Sequence, residues 1–337
     1  MKPGCPGALK GGRRILPVTG GTDPPETRKP FPRLAQSTMM NKSIQEETFM
    51  SDPAAILSAR LDAPGIITAP GVSDGLSAQM AAEAGFDVLY MTGAGVSLGT
   101  FGAPDVGLLT LTEMAAACAR ITSATDLPLI ADADTGYGNA VNLTRTVEEF
   151  IRAGAAGIQI EDQETPKKCG HLEGKRVVPA EEMALKIEAA RAARGDSGLV
   201  IVARTDARQS LGMDEAINRC RLYREAGADV LFLEAPRGED EIARVPRDLD
   251  APCLMNMAGK SVRIPVKKLE AFGYKIAIFP GEAQRASAFA MREVFETLRE
   301  EGGVESIESR LIDFEERFRI AGYGEIQRLE EKYLPKG

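Results

Sequence analysis

Glu225-Ala226-Gly227-Ala228-Asp229-Val230-Leu231-Phe232-Leu233-Glu234 decides the fold: a helix ends at a glycine, a short apolar strand follows, and a carboxylate closes it. The glycine supplies the left-handed residue that stops a helix before the next strand. The phrase recurs as Glu83-Ala84-Gly85-Phe86-Asp87-Val88, Arg152-Ala153-Gly154-Ala155 and Phe272-Gly273-Tyr274-Lys275-Ile276. A second opening, Asp126-Leu127-Pro128-Leu129 and Asp250-Ala251-Pro252-Cys253, leads into two further strands. Working outward, apolar runs lie at 65–69, 88–92, 129–132, 157–161, 199–204, 230–234, 253–256 and 275–279. Their Val/Ile/Leu content suits parallel strands buried on both faces. Thr110 and Glu113 fit a capping box opening one of the intervening helices. Eight strand–helix units in one run point to a closed (β/α)₈ barrel of the TIM type, in the α/β class. An open doubly wound sheet is the alternative, but the Gly-rich phosphate loop expected after its first strand is absent.

The totals exclude several classes of function. The net charge of −8, from 41 Lys and Arg against 49 Asp and Glu, argues against nucleic acid and anionic membranes as partners. No apolar stretch of about 18 residues exists to span a bilayer. Cys5, Cys118, Cys169, Cys220 and Cys253 are scattered without metal-ligand spacing, as in a protein of the reducing cytoplasm. Residues 1–36 hold seven of the 20 prolines, six glycines and few large apolar side chains. Such a segment cannot bury enough surface to offset its ordering entropy, so residues 1–50 are expected to be a disordered extension. The Pro and Gly also argue against the amphipathic helix of an organelle transit signal. Residues 51–300 then form the barrel, and 301–337 a C-terminal helical extension, with 304–333 reading as helix.

Barrel enzymes place their chemistry at the carboxyl ends of the strands. Here those ends carry Tyr90-Met91-Thr92-Gly93-Ala94, Asp132-Ala133-Asp134-Thr135-Gly136-Tyr137-Gly138, Gln159-Ile160-Glu161-Asp162, Arg204-Thr205-Asp206, Glu234 and Asn256, with Asp105 on the loop after the second strand. Any single carboxylate fits a structural ion pair. Five on one rim (Asp105, Asp132, Asp134, Glu161 and Glu234) would repel one another without a cation, and such hard oxygen donors suit Mg²⁺ or Mn²⁺. The loop Pro166-Lys167-Lys168-Cys169-Gly170-His171 holds the chain's one histidine. Composition alone favours a solvated basic loop. The chemical reading is a thiol whose pKa is depressed by Lys167, Lys168 and His171, able to exchange protons near neutrality. A Cys-x-His zinc site lacks further ligands, and a Cys–His nucleophile pair has poor spacing and no acyl-transfer scaffold.

Lys167-Lys168-Cys169-Gly170-His171 resembles the signature of isocitrate lyase and 2-methylisocitrate lyase. Asp132-Ala133-Asp134-Thr135-Gly136-Tyr137-Gly138 resembles the metal-binding strand end of the wider isocitrate lyase and phosphoenolpyruvate mutase superfamily, and the similarity runs from about Pro70 to about Arg292. The resemblance implies a (β/α)₈ barrel whose last helix is exchanged between subunits of a dimer or tetramer. It implies Mg²⁺ on Asp132, with Asp105, Asp134 and Glu161 holding its waters. Thr92, Gly93 and Ala94 match the segment that binds the 2-oxo acid carboxylate, and Arg204 the arginine that neutralises the forming enolate. Cys169 matches the general acid for the departing carbanion, within a loop that brings Lys167, Gly170 and His171 to the site. Glu234 and Asn256 match pocket-lining residues, and Arg285 a carboxylate-binding arginine of 2-methylisocitrate lyases.

The implied reaction is cleavage of the C2–C3 bond of a 2-hydroxy di- or tricarboxylate to a 2-oxo acid and a second carboxylate. Tyr90 or a metal-bound group would deprotonate the hydroxyl. Departures bear on the substrate. Gln159 stands where isocitrate and 2-methylisocitrate lyases usually carry histidine, and 2,3-dimethylmalate lyase and oxaloacetate hydrolase relatives commonly carry glutamine. Asn256-Met257-Ala258-Gly259-Lys260 and Phe279-Pro280-Gly281-Glu282 match neither subgroup. Three readings follow: a lyase for a substituted malate or methylisocitrate, an oxaloacetate decarboxylase or hydrolase, and a non-catalytic barrel kept for assembly.

Overall fold

The computed structural model describes residues 52–335 apart from Lys260; the expected N-terminal disorder lies outside these residues. Eight parallel strands close a barrel in chain order: β1 (Ile67–Val72), β2 (Leu89–Met91), β3 (Leu129–Asp132), β4 (Gly157–Glu161), β5 (Val200–Thr205), β6 (Val230–Leu233), β7 (Cys253–Asn256) and β8 (Ile276–Phe279). β8 pairs back onto β1, with Ile67 opposite Ile276 and Pro70 opposite Phe279. The open doubly wound alternative is thereby excluded.

The first strand starts two residues later than its apolar run and continues through Pro70 and Gly71 to Val72. Gly65, at φ 93°, belongs to the turn before it. Proline interrupts a strand pattern in sequence because it lacks an N–H. Gly71 is required by packing, because a Cβ there would run into the backbone of Pro280. The capping phrases behave as their chemistry dictates, with Gly227 at φ 111° and Gly273 at φ 99° ending their helices.

Side chains alternate between two cores. Val88, Tyr90, Ile130, Val202, Val230, Phe232, Ile276 and Ile278 fill the barrel interior, with Leu57 among them. Leu57 comes from α1 (Pro53–Asp62), and its Cδ2 would lie 3.2 Å from a Cβ on Gly157 at the start of β4. That helix therefore stoppers the end of the barrel opposite the strand termini. The second core lies between strands and outer helices. α5 (Ala140–Arg152) contributes Leu143, Thr146, Val147 and Phe150 to it, one face at helical spacing. The expected capping box opens α4 (Leu111–Thr122), where the Glu113 carboxylate accepts from the Thr110 N–H at 2.8 Å.

Behind the rim sits a buried polar knot. Asp162 accepts from Thr205 Oγ1 (2.7 Å), the Asp206 N–H (2.8 Å), Tyr223 OH (2.7 Å) and Arg219 Nη1 (3.0 Å). Asp162→Ala would break the buried pair with Arg219, which keeps Glu215 (3.1 Å) and the Val178 carbonyl (2.8 Å), and would strip Thr205 and Tyr223 of their acceptor, at a cost of about 3–5 kcal/mol. Denaturant unfolding should show that loss, and a change below about 1 kcal/mol would mean the knot relaxes onto water.

After β8 the chain departs from the expected single helix over 304–333. α11 (Glu282–Glu301) is followed by a 3₁₀ turn (Glu305–Arg310), α12 (Phe314–Ile320) and α13 (Tyr323–Tyr333), taking α12 and α13 as the last two helices of the chain. Asp313 caps a new start by accepting from the Glu316 N–H at 2.7 Å, and Gly322 at φ 74° breaks the chain again. α11 buries none of its residues and leaves Phe289 and Phe295 about two-thirds exposed.

Candidate active site

The carboxyl ends of the strands meet around a cavity of about 120 Å³. Tyr90, Thr92, Ala94, Asp105, Asp132, Cys169, Gly170, His171, Arg204, Glu234 and Asn256 all line it. Gly93 lies against Asp132, where any Cβ would come within 2.7 Å of Asp132 Oδ2. Thr92 caps α3 (Gly93–Phe101), its Oγ1 accepting from the Gly95 N–H at 3.2 Å. In that first turn the Thr92 N–H goes to the Val72 carbonyl (3.1 Å) and the Gly93 N–H to Asp132, which leaves the Ala94 N–H at the cavity wall to attract an anion.

Asp132 accepts from the N–H groups of Gly93 (3.3 Å) and Asp134 (3.0 Å) and from Gln159 Nε2 (3.3 Å). Gln159 Oε1 in turn accepts from Tyr90 OH at 2.7 Å. Burial, with Asp132 next, pushes the Tyr90 phenol well above its ordinary pKa. In this arrangement the Tyr90 hydroxyl donates to Gln159.

Charge pairing on the rim differs from the expectation of carboxylates awaiting a metal. Lys167 folds inward and pairs with Asp105 and, at 2.8 Å, with Asp134. Arg204 meets Glu161 (3.3 Å), Asp206 (2.9 Å) and Glu234 (3.4 Å), with its guanidinium 5.1 Å from the Phe232 ring centre. Asn256 Nδ2 donates to Glu234 at 3.2 Å. Protein cations thus answer part of the repulsion.

The compensation is incomplete. Asp105, Asp132, Asp134, Glu161 and Glu234 stand against Lys167 and Arg204, five negative groups to two positive. Burial and the neighbouring Asp134 push Asp132 up to about 6, and burial raises Glu161 as well. Glu161 Oε1 is buried with no hydrogen-bond partner. Among the described residues, no three carboxylates, thiols or imidazoles already stand in a chelating cluster. A hard divalent ion that keeps most of its waters needs only one or two direct carboxylates, so this donor set fits Mg²⁺.

The loop after β4 departs furthest from expectation. Burial pushes the Cys169 thiol above its ordinary pKa, offset in part by the His171 backbone N–H. The expected depression fails because burial outweighs the nearby positive charges, with Lys167 paired to Asp105 and Asp134 and Lys168 reaching outward to the Gly174 carbonyl at 3.2 Å. His171 borders the cavity with its Nε2 buried and unpartnered. Arg285 is not in the cavity: its side chain is 67% exposed and reaches only Glu282, at 3.9 Å. Its neighbour Gln284 lines the wall instead, donating to the Gly95 carbonyl at 2.7 Å. Phe232, Ala258, Ile278 and Pro280 complete an apolar wall that the strand-end survey did not name.

Known proteins match this arrangement over nearly all of the described chain. The phosphoenolpyruvate phosphomutase family profile matches residues 57–299. A 2,3-dimethylmalate lyase of Eubacterium barkeri is 42% identical over 83% of this chain and 98% of its own length. A 2-methylisocitrate lyase of Aeropyrum pernix is 43% identical, over 84% of this chain and 92% of its own. Oxaloacetate acetylhydrolase bound to 3,3-difluorooxalacetate superposes with a TM-score of 0.81 at 38% identity, covering 85% of this chain and 98% of that one. Phosphonopyruvate hydrolase, solved with oxalate and Mg²⁺, superposes at 0.76 with 32% identity, over 84% and 99%. With its barrel closed, its rim assembled and these relatives spanning it, the chain belongs to the phosphoenolpyruvate mutase/isocitrate lyase superfamily of enzymes.

Proposed function

We propose that this enzyme is a Mg²⁺-dependent carbon–carbon lyase that cleaves a 2,3-dimethylmalate-type dicarboxylate to pyruvate and a second carboxylate. The observation that carries the reading is one cavity lined together by the acid-bearing loop Cys169-Gly170-His171, Asp132 and Arg204. Asp132, with Asp105, Asp134 and Glu161, would hold magnesium, which when bound would supply Lewis-acid polarisation of the substrate's oxygens; Mn²⁺ would suit the same donors.

The protein's own groups account for the remainder. At the Thr92-Gly93-Ala94 turn the Ala94 N–H, left over once Val72 takes the Thr92 N–H and Asp132 the Gly93 N–H, holds the carboxylate next to the reacting carbon. The hydroxyl proton passes to a rim carboxylate, of which Asp105 and Glu234 face the cavity. Arg204 stabilises the alkoxide left when the hydroxyl loses its proton; as the C2–C3 bond breaks, that oxygen becomes the carbonyl of the oxo acid and the bond's electron pair moves to C3. Cys169 gives its Sγ proton to C3. Lys167 holds Asp105 and Asp134 in place, and His171 and Asn256 close the walls around the leaving fragment.

Among the described lining residues the one arginine is engaged by three carboxylates, and the facing wall of Phe232, Ile278, Pro280 and Ala258 is apolar. A third substrate carboxylate would be desolvated there without a cation, whereas methyl groups are welcome. That favours a substituted malate over 2-methylisocitrate. The second reading, oxaloacetate cleavage, is favoured by the small cavity and by the likeness to oxaloacetate acetylhydrolase. Release of 2-oxo acid, coupled to NADH oxidation, from (2R,3S)-2,3-dimethylmalate, 2-methylmalates, 2-methylisocitrate, isocitrate and oxaloacetate decides between them. Turnover of 2-methylisocitrate above dimethylmalate would overturn the assignment, and turnover of nothing on the panel would leave a barrel kept for assembly.

The exposed apolar face of α11 supports a homo-oligomer in which this helix packs on another subunit. Light scattering on the full chain should give a dimer or tetramer, and a monomer at micromolar concentration would remove the proposal. The described cysteines, Cys118, Cys169, Cys220 and Cys253, are all free, which supports a reducing cytoplasmic setting.

A further inference from the structure

Lys175 has no part in the chemistry above, yet its side chain is 1% exposed and sits just behind the cavity. A buried ammonium is costly unless it is paired and hydrogen-bonded. Its Nζ lies 2.9 Å from Asp206 Oδ1 and donates to the carbonyl of Gly170. Asp206 is the carboxylate that Arg204 grips from Nε (2.9 Å) and Nη2 (3.1 Å). Burial alone would raise the Asp206 carboxyl, but Arg204 and Lys175 outweigh it and hold it below the ordinary range. One ammonium thus ties the turn beside Cys169 to the same anion that orients Arg204.

The fit at that turn is close. A Cβ on Gly170 would strike Arg204 Nη2 and come within 2.8 Å of Glu234 Cδ, so the backbone there rests on the Arg204–Glu234 pair. The rest of the loop is held at its base. Gln163 brackets Lys168, donating from Nε2 to its carbonyl (2.8 Å) and accepting its N–H at Oε1 (2.9 Å). Gln163 also bridges Val177, and the Glu164 N–H donates to the Arg176 carbonyl at 2.9 Å. Cys169 is tied by its own N–H to the Asp105 carbonyl at 3.1 Å. Between Gly170 and the base of the loop, Lys175 is the side chain that reaches from the loop's returning limb to the end of β5.

We propose that Lys175 is a positioning residue, a pin between the Gly170 carbonyl and Asp206 that fixes Cys169 over the cavity in register with Arg204. The turnover arm of its test rests on the lyase reading above; the labelling arm does not.

In the full chain, Lys175→Met removes the pin at nearly constant length. Peptide-resolved labelling with iodoacetamide should show Cys169 reacting roughly tenfold faster or more, as one charge-assisted tie is lost. The buried Cys118, Cys220 and Cys253 should keep their slow rates. With dimethylmalate, kcat should fall about a hundredfold, as a loosened catalytic group does, while KM moves far less. A residue serving stability alone would lower the melting temperature and leave both Cys169 reactivity and kcat unchanged; that pattern in a folded Lys175→Met overturns the proposal. Should this variant fail to fold, Lys175→Arg takes its place under the same two criteria, since a planar fork keeps the charge but not the point donor. Faster labelling without turnover of any substrate by wild type would sustain the pin and sink the lyase reading instead.

Discussion

Cys169→Ser is expected to slow cleavage of a dimethylmalate-type substrate by about two to four orders of magnitude, the usual worth of a positioned proton donor. The thiol lies half-buried on the cavity wall, and burial keeps it in the protonated form that a donor needs. A serine hydroxyl is nearly isosteric, so KM should change little, but it is a far weaker acid. Oxaloacetate decarboxylation provides the internal control. Its leaving fragment is CO₂, and the retained enolate can take its proton after leaving the site, so that reaction should suffer much less. Steady-state kinetics on both substrates check the contrast. Near-wild-type cleavage of the substituted malate would take Cys169 out of the reaction and leave its loop as a cover.

Asp132→Asn should remove activity by at least about a thousandfold, since the metal's charge stabilisation is worth several kcal/mol and each 1.36 kcal/mol is tenfold in rate. Asparagine keeps Oδ1 for the Asp134 N–H and Gln159 Nε2 and turns its amide nitrogen toward the Gly93 N–H, so two of the three hydrogen bonds persist and the strand end should stay in place. The charge and the 3.3 Å contact to Gly93 are lost. Isothermal titration with Mn²⁺ gives a reading independent of turnover: wild type should bind one equivalent, and the variant should bind far more weakly. Unchanged Mn²⁺ affinity in the variant, or full wild-type turnover in excess chelator, would remove the metal from the site.

Most of the rim was legible because a carboxylate directly behind a run such as Ile158-Gln159-Ile160 is too costly to be accidental. Strand order supplied the third dimension, since every parallel strand delivers its last residue to the same end. What stayed hidden was pairing across loops. Lys167 finds Asp105, 62 residues earlier, and its pull on the thiol two positions away is outweighed by burial and by that carboxylate. Proximity along a chain predicted the sign of the Cys169 shift wrongly because burial of the thiol outweighs the charges beside it. Arg285 failed for a geometric reason: neighbouring residues on a helix point about 100° apart, and α11 turns Gln284 inward and Arg285 out. Lys175 carried no local signal at all, since its partners Gly170 and Asp206 meet it only once the loop has folded back.

The seam between β1 and β8 has a consequence for synthesis. Ile67 waits for Ile276, and Lys275 ties back to the Gly65 carbonyl across 210 residues at 2.8 Å. At about 5–20 residues per second on the ribosome, the outer edge of β1 is without its partner for on the order of ten to forty seconds. During that interval it offers a row of free N–H and C=O groups, a template for any passing strand. Nascent chains truncated before residue 276 should therefore occupy holding chaperones and aggregate when released, whereas chains extended past Phe279 should escape both fates.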